Sequence, residues 1–321
     1  MFLHCSRISA LAAVAAVIAV YASAPQARAD EVWVTNMKSG NVIVIDVGTG
    51  KVVARIPTGA GAHNVAISKD GSRALVANVG ASTVTIIDAA AKKVLATVAS
   101  GKKTHDVSIS PDGKLALASS VGDSTITLID IAKGTALYTH KLGKKAMMSV
   151  FTADSKSAFV ADATGATIEL IDLSSKKSVR SLPGGKGTMA FIPSPDGKQA
   201  WMTAPADNTI VLVDAVKGGS LGSIAVEGEP HGLVFSPDGS RGYVVQRKLN
   251  QVAIVDTASR KVVQTEFVGE RPDMLAISGD GSKLFVTIRD EDKMLVLSTA
   301  DLSTIAEIKT DDEPHGVAYR H

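Results

Sequence analysis

From residue 31 onward the chain alternates apolar and polar positions in runs of five or six residues, broken by Gly, Asp, Asn and Pro. Thr125-Ile126-Thr127-Leu128-Ile129 shows the pattern, with β-branched residues at a two-residue period, as expected of a strand packed between layers. Around it the spacing predicts strands over His105–Ser110, Lys114–Ser119 and Ala136–His140, the first two joined by the tight turn Pro111-Asp112-Gly113. No stretch of this part keeps a helical period, and the connections are too short to hold crossover helices.

The four-strand pattern recurs every 42 residues. An aspartate closes the third strand of each unit at Asp46, Asp88, Asp130, Asp172, Asp214 and Asp256, with Ser298 in the seventh place. A large apolar residue recurs at Trp33, Leu75, Leu117, Phe159, Trp201, Tyr243 and Phe285, and turn aspartates fall at Asp70, Asp112, Asp154, Asp196, Asp238 and Asp280. No insertion breaks the register, and residues 30–321 hold seven periods less two residues. Seven units of four short antiparallel strands predict an all-β fold, a seven-bladed β-propeller occupying 30–321 as one domain. The phase matters too. The repeat opens on a second strand (Glu31–Asn36) and ends on a first strand (His315–Tyr319), so one blade must join three N-terminal strands to a C-terminal one. Such closure removes the exposed sheet edges that invite aggregation.

The first 29 residues follow a different rule. Arg7 precedes an apolar run from Ile8 to Ala24, and Ala27-Arg28-Ala29 places small residues where a signal peptidase cuts, before Asp30. This reads as a secretory signal peptide, which implies a periplasmic or secreted protein. The run is short for a membrane span, and no second one approaches that length. Cys5 is the sole cysteine, so the fold carries no internal disulfide. Of 34 basic residues, Arg7 and Arg28 fall in the leader, leaving 32 against 32 acidic ones. A neutral chain with 4% aromatic residues argues against a general grip on nucleic acid, and a monomer is expected.

The second-strand words Val32-Trp33-Val34-Thr35-Asn36, Ala74-Leu75-Val76-Ala77-Asn78 and Leu284-Phe285-Val286-Thr287 resemble the Tyr-Val-Thr-Asn signature of the YVTN β-propeller repeat proteins. The first-strand words Pro230-His231-Gly232 and Pro314-His315-Gly316 match the same family. The resemblance spans the repeats and implies the propeller fold. For function it implies a range: surface-layer proteins, periplasmic proteins, relatives of propeller lactonases and, more distantly, the propeller of nitrous-oxide reductase. Fold does not choose among these.

One column of the repeat carries candidate chemistry. The residue opening each first strand is His63, His105, Met147, Met189, His231, Asp273 or His315. Sevenfold geometry sets these at one channel mouth. Imidazoles suit zinc or copper, thioethers reduced copper, and Asp273 would be a ligand or an orienting group. The alternative for the histidines is structural, a hydrogen bond to the backbone of the neighbouring blade. Lys102, Lys103, Lys144, Lys145 and Lys186 line one half of the rim; Glu227, Glu229, Glu270, Asp311, Asp312 and Glu313 line the other, so the rim could draw an anion or a dipolar partner to one side. The loops Arg247–Asn250 and Arg289–Lys293 project to the same face, where they could broaden a partner surface; the simpler account is solvated turns. The chain lacks a nucleophile-elbow Gly-x-Ser-x-Gly, a P-loop, a His-Glu-x-x-His pair and a haem-attaching Cys-x-x-Cys-His. The first reading is therefore a binding or scaffold protein that presents this face to a protein or small ligand. A copper or zinc protein is the second. A lactonase- or lyase-like enzyme, with Asp273 and His231 or His315 as acid and base, is the third.

Overall fold

The computed structural model describes residues 30–143, 145–217 and 219–321. The leader expected over residues 1–29 and the rim lysine Lys144 lie outside the described residues. Seven four-stranded antiparallel sheets follow one another around a common axis. Blade 1 is the closing blade, built from Glu31–Asn36, Asn41–Asp46, Lys51–Pro57 and the C-terminal Pro314–Arg320. The innermost strands of blades 2 to 7 are Ala62–Ile67, Thr104–Ile109, Ala146–Phe151, Phe191–Pro193, Pro230–Phe235 and Pro272–Ile277. Blade 5 departs from the pattern: its inner strand keeps three residues, and Met189 precedes it. Among the described residues, no helix is long and apolar enough to cross a membrane.

Closure is locked by charge as well as by sheet pairing. Arg320 of the last strand pairs with Glu31 of the first at 2.6 Å, both buried, and its Nε donates to Gly71 O in blade 2. Lys92 meets the same Glu31 carboxylate at 2.6 Å.

The repeating columns acquire separate structural roles. The bulky column wedges between blades: Trp33 packs with Ala74 and Val76, Phe159 meets Phe191 edge-on at 5.8 Å, Trp201 meets Phe235 at 4.9 Å, and Phe285 stacks on Tyr319. Fully burying such a side chain contributes about 1.5–3 kcal/mol, so the seven together are a major part of what holds the blades to one another. The aspartates closing the third strands cap the next turn, as Asp46 does for Thr49 N at 2.7 Å and Asp256 for Ser259 N at 2.7 Å. In the seventh place Ser298 Oγ accepts from Ala300 N at 3.3 Å, a weaker version of the same cap.

Each inner strand except the short one of blade 5 carries a β-bulge near its start, where two residues oppose one on the second strand. Pairing jumps from Ala62↔Asn78 to Asn64↔Ala77, from Pro230↔Gln246 to Leu233↔Val244, and from Pro272↔Ile288 to Leu275↔Val286. Bulges re-aim side chains, and here the residue displaced is the His/Asp column. The threonine of the Val-Thr-Asn word fixes the arrangement. Thr35 Oγ1 accepts from Gly316 N in its own blade at 2.8 Å and donates to His63 O in the next at 2.6 Å. Thr287 does the same between Met274 N and His315 O, and Thr203 between Ala190 N and His231 O. The asparagine that follows pins the hairpin, Asn36 Nδ2 donating to Asn41 Oδ1 at 2.8 Å.

Candidate functional site

Each residue of the Pro-His-Gly word has its own structural task. Proline opens the inner strand, the bulge swings histidine toward the axis, and glycine admits the neighbouring blade. A Cβ on Gly316 would lie 2.6 Å from His63 O, and one on Gly232 would lie 2.8 Å from Asp273 O. That close approach seats each imidazole on the next backbone: His231 Nδ1 lies 3.0 Å from Asp273 O, and His315 Nδ1 lies 3.0 Å from His63 O. Both are therefore Nδ1–H donors whose Nε2 lone pairs face the channel. The structural role expected for these histidines is thus realised for His231 and His315, and it leaves the Nε2 of each as an acceptor.

The four imidazoles form a continuous arc. His63 lies over His315 with centroids 3.8 Å apart and beside His105 at 4.2 Å, while His231 meets His315 edge-on at 6.1 Å. Burial holds His63, His231 and His315 well below the usual imidazole range and lowers His105 to about 4. The rings are neutral at physiological pH. Met147 and Met189 join the apolar cluster of Phe159, Phe191 and Met202, which fills the other side of the ring.

Asp273 is fully buried and is the focus of the arc. Its carboxylate takes a close ion pair from Arg247 Nη2, and Arg289 Nη1 lies 3.5 Å from its other oxygen. Arg247 Nη2 also lies 2.7 Å from His231 Nε2, which must accept, in agreement with the proton on Nδ1. His315 Nε2 stands 3.8 Å from Asp273 Oδ2, two acceptors held just beyond hydrogen-bond reach. One donor atom each from His231, Asp273 and His315 lies within 4.8 Å of the others, close enough for one metal ion.

Arg247 and Arg289 are the residues the sequence reading missed. They open short 3-10 turns, Arg247–Leu249 and Arg289–Glu291, that end in left-handed Asn250 and Asp292. The backbone N–H of each is tied to the loop entering the inner strand, Arg247 to Glu229 O and Arg289 to Arg271 O. This tie brings both guanidiniums over the ring instead of into solvent. Their spacing of 42 residues was the available signal. Burial, with Arg271 and Arg289 nearby, lowers Arg247 to about 10. The Nε atoms of Arg247 and Arg289 are buried without a hydrogen-bond partner. Arg289 also reaches Glu313 at 3.3 Å. The rim lysines Lys102, Lys103, Lys145 and Lys186 are exposed.

A family profile described as a YNCE-like beta-propeller matches residues 10–113 and 112–273. No curated protein sequence matches the chain. Among solved structures, hydrazine synthase of Kuenenia stuttgartiensis is similar at 19% identity, covering 84% of this chain and 92% of that one, with a TM-score of 0.76. A functionally unknown protein from Desulfotomaculum acetoxidans shares 17% identity over 91% and 99% of the two chains, with a TM-score of 0.80. The periplasmic gluconolactonase of Pseudomonas aeruginosa shares 17% over 92% and 99%, at 0.76. At these identities the likeness shows the fold. The profile, the unbroken repeat and the seven closed blades agree that the chain belongs to the YNCE-like beta-propeller family.

Proposed function

We propose that the protein is a periplasmic or secreted binding protein whose channel mouth takes a small anionic ligand, a carboxylate or phosphate ester. The observation that carries this reading is the charge arrangement. Two partly buried guanidiniums share the buried carboxylate of Asp273, the half-exposed Glu313 reaches only Arg289, the surrounding imidazoles are neutral, and two Nε–H donors are left unpaired. A buried donor without a partner costs about 1–3 kcal/mol, and an anion seated on the guanidiniums would recover it. Paired Arg donors match planar oxyanions, and the rim lysines supply long-range attraction. The sugar-acid chemistry named for the gluconolactonase neighbour, and for a similar putative 6-phosphogluconolactonase from Bacteroides fragilis, makes gluconate and 6-phosphogluconate suitable probes. Calorimetric titration should show binding that weakens with salt and falls at least about tenfold in Arg247→Met and Arg289→Met. Binding unchanged in both variants, or absent at about 10 mM, would overturn the reading.

A metal reading has its own support in the His231–Asp273–His315 donor set. Copper or zinc would have to displace Arg247 from Asp273 and His231. Elemental analysis after reconstitution decides it, since well under about one-tenth equivalent of bound metal removes the idea. Lactone turnover measured in Asp273→Ala and His315→Ala tests the enzymatic alternative on the same residues.

A further inference from the structure

On the far side of the imidazole ring the channel widens into a cavity of about 660 Å³. Inner strands of all seven blades line it, and it opens at the opposite face, beside the turn residues Pro111, Pro237 and Gly279. Its walls are mostly apolar: Val65, Val107, Phe151, Leu233, Leu275 and Tyr319 among others. At its inner end sits Asp106, 3% exposed, one place beyond the histidine column.

Asp106 is held differently from Asp273. Asn64 Nδ2 donates to Oδ1 at 2.8 Å and Ser149 N to Oδ2 at 3.1 Å, both neutral donors. No lysine or arginine lines the cavity among the described residues. A carboxyl is an anion at neutral pH, and this one faces an apolar channel with neutral donors and no lysine or arginine beside it among the described residues. One hydrogen bond to each oxygen leaves lone pairs free for a further donor.

We propose that this cavity is a second binding site, specific for an organic ammonium whose charged head pairs with Asp106 and whose apolar body lies along the channel walls. A hard divalent ion is the poorer match, because Ca²⁺ and Mg²⁺ want about six or more oxygen ligands and the inner end offers one carboxylate with few other oxygens. The volume falls within the usual ligand-site range of about 300–1,000 Å³, enough for an aryl or alkyl amine. An anion at the mouth and an ammonium here would sit on opposite sides of the neutral imidazole ring, so the two sites can be probed separately.

The test is calorimetric titration of the full chain with 2-phenylethylammonium, 2-phenylethanol and 3-phenylpropionate. The ammonium should bind at least about tenfold more tightly than the alcohol, with the carboxylate weakest. Asp106→Asn should remove the preference for the ammonium. Ser108→Phe, which fills the channel from a half-buried lining position, should weaken all three probes. Equal affinity for ammonium and alcohol in the parent, ammonium affinity as high as the parent's in either variant, or its loss in Arg247→Met in place of Asp106→Asn would each overturn the proposal. So would a failure to bind the ammonium at about 10 mM.

Discussion

Asp106→Asn offers a direct measure of how the channel treats charge. The carboxyl is fully enclosed, and burial raises it from 3.8 to about 6. That rise is equivalent to about 3 kcal/mol of stability lost when the group is ionised in the fold. The sign follows from proton counting. Between the two values the unfolded chain has released its proton and the folded chain has not, so the penalty is absent below pH 3.8 and complete above about 6. Asparagine keeps the shape and removes the charge. Its oxygen can accept from Ser149 N, and its amide can donate to Asn64 once the Asn64 amide flips. Some of the gain is lost in that rearrangement, so the variant should be more stable than the parent by about 1–3 kcal/mol at pH 7.5 and nearly equal to it near pH 4. Urea unfolding of both proteins at the two pH values measures the difference. A variant less stable than the parent at pH 7.5, or a gap that does not change with pH, would falsify the picture of an uncompensated buried carboxylate.

Three further outcomes are expected. Gly316→Ala forces a Cβ to 2.6 Å from His63 O and 2.9 Å from Asn64 Cα, so it should cost about 1–3 kcal/mol in urea unfolding; Gly143→Ala, with open space around it, should be near neutral. Arg320→Ala strips the buried Glu31 of its partner across the ring closure, leaving Lys92 alone on the carboxylate, and should cost about 3 kcal/mol, read as one cooperative loss of all blades in calorimetry. The imidazoles give a pH dependence of the opposite sign to Asp106. Because the folded rings resist protonation, the unfolded chain binds more protons below pH 6.5, and stability falls as pH drops from there; His105 alone, lowered to about 4, accounts for about 3 kcal/mol by that pH. In the parent Asp106 masks part of this slope, so the Asp106→Asn variant should lose stability more steeply between pH 6.5 and 4, and a slope shallower than the parent's would contradict the assignment.

The repeat was legible in the chain because its causes are local. Two-residue alternation, turn aspartates and a wedge residue every 42 positions each act within a few neighbours, so strand number, blade number and ring closure follow from counting. The cap role of Asp46 and Asp256 and the wedge role of Trp33 were equally visible. The site was visible only in part. The His63, His105, His231, Asp273 and His315 column could be named from spacing, but the direction of its side chains depends on a bulge clamped by Thr35 and Thr287 from a neighbouring blade. Arg247 and Arg289 looked like solvated turn residues until loop backbone bonds carried them over Asp273. Asp106 gave no signal, since what sets it apart is a channel made by seven distant strands that no lysine or arginine lines among the described residues. Sequence alone therefore determined the modules and their number, because a blade is a short-range object. Only the closed ring decided which charges meet and which stay unpaired, because dielectric environment and counter-ions are properties of the assembled interior.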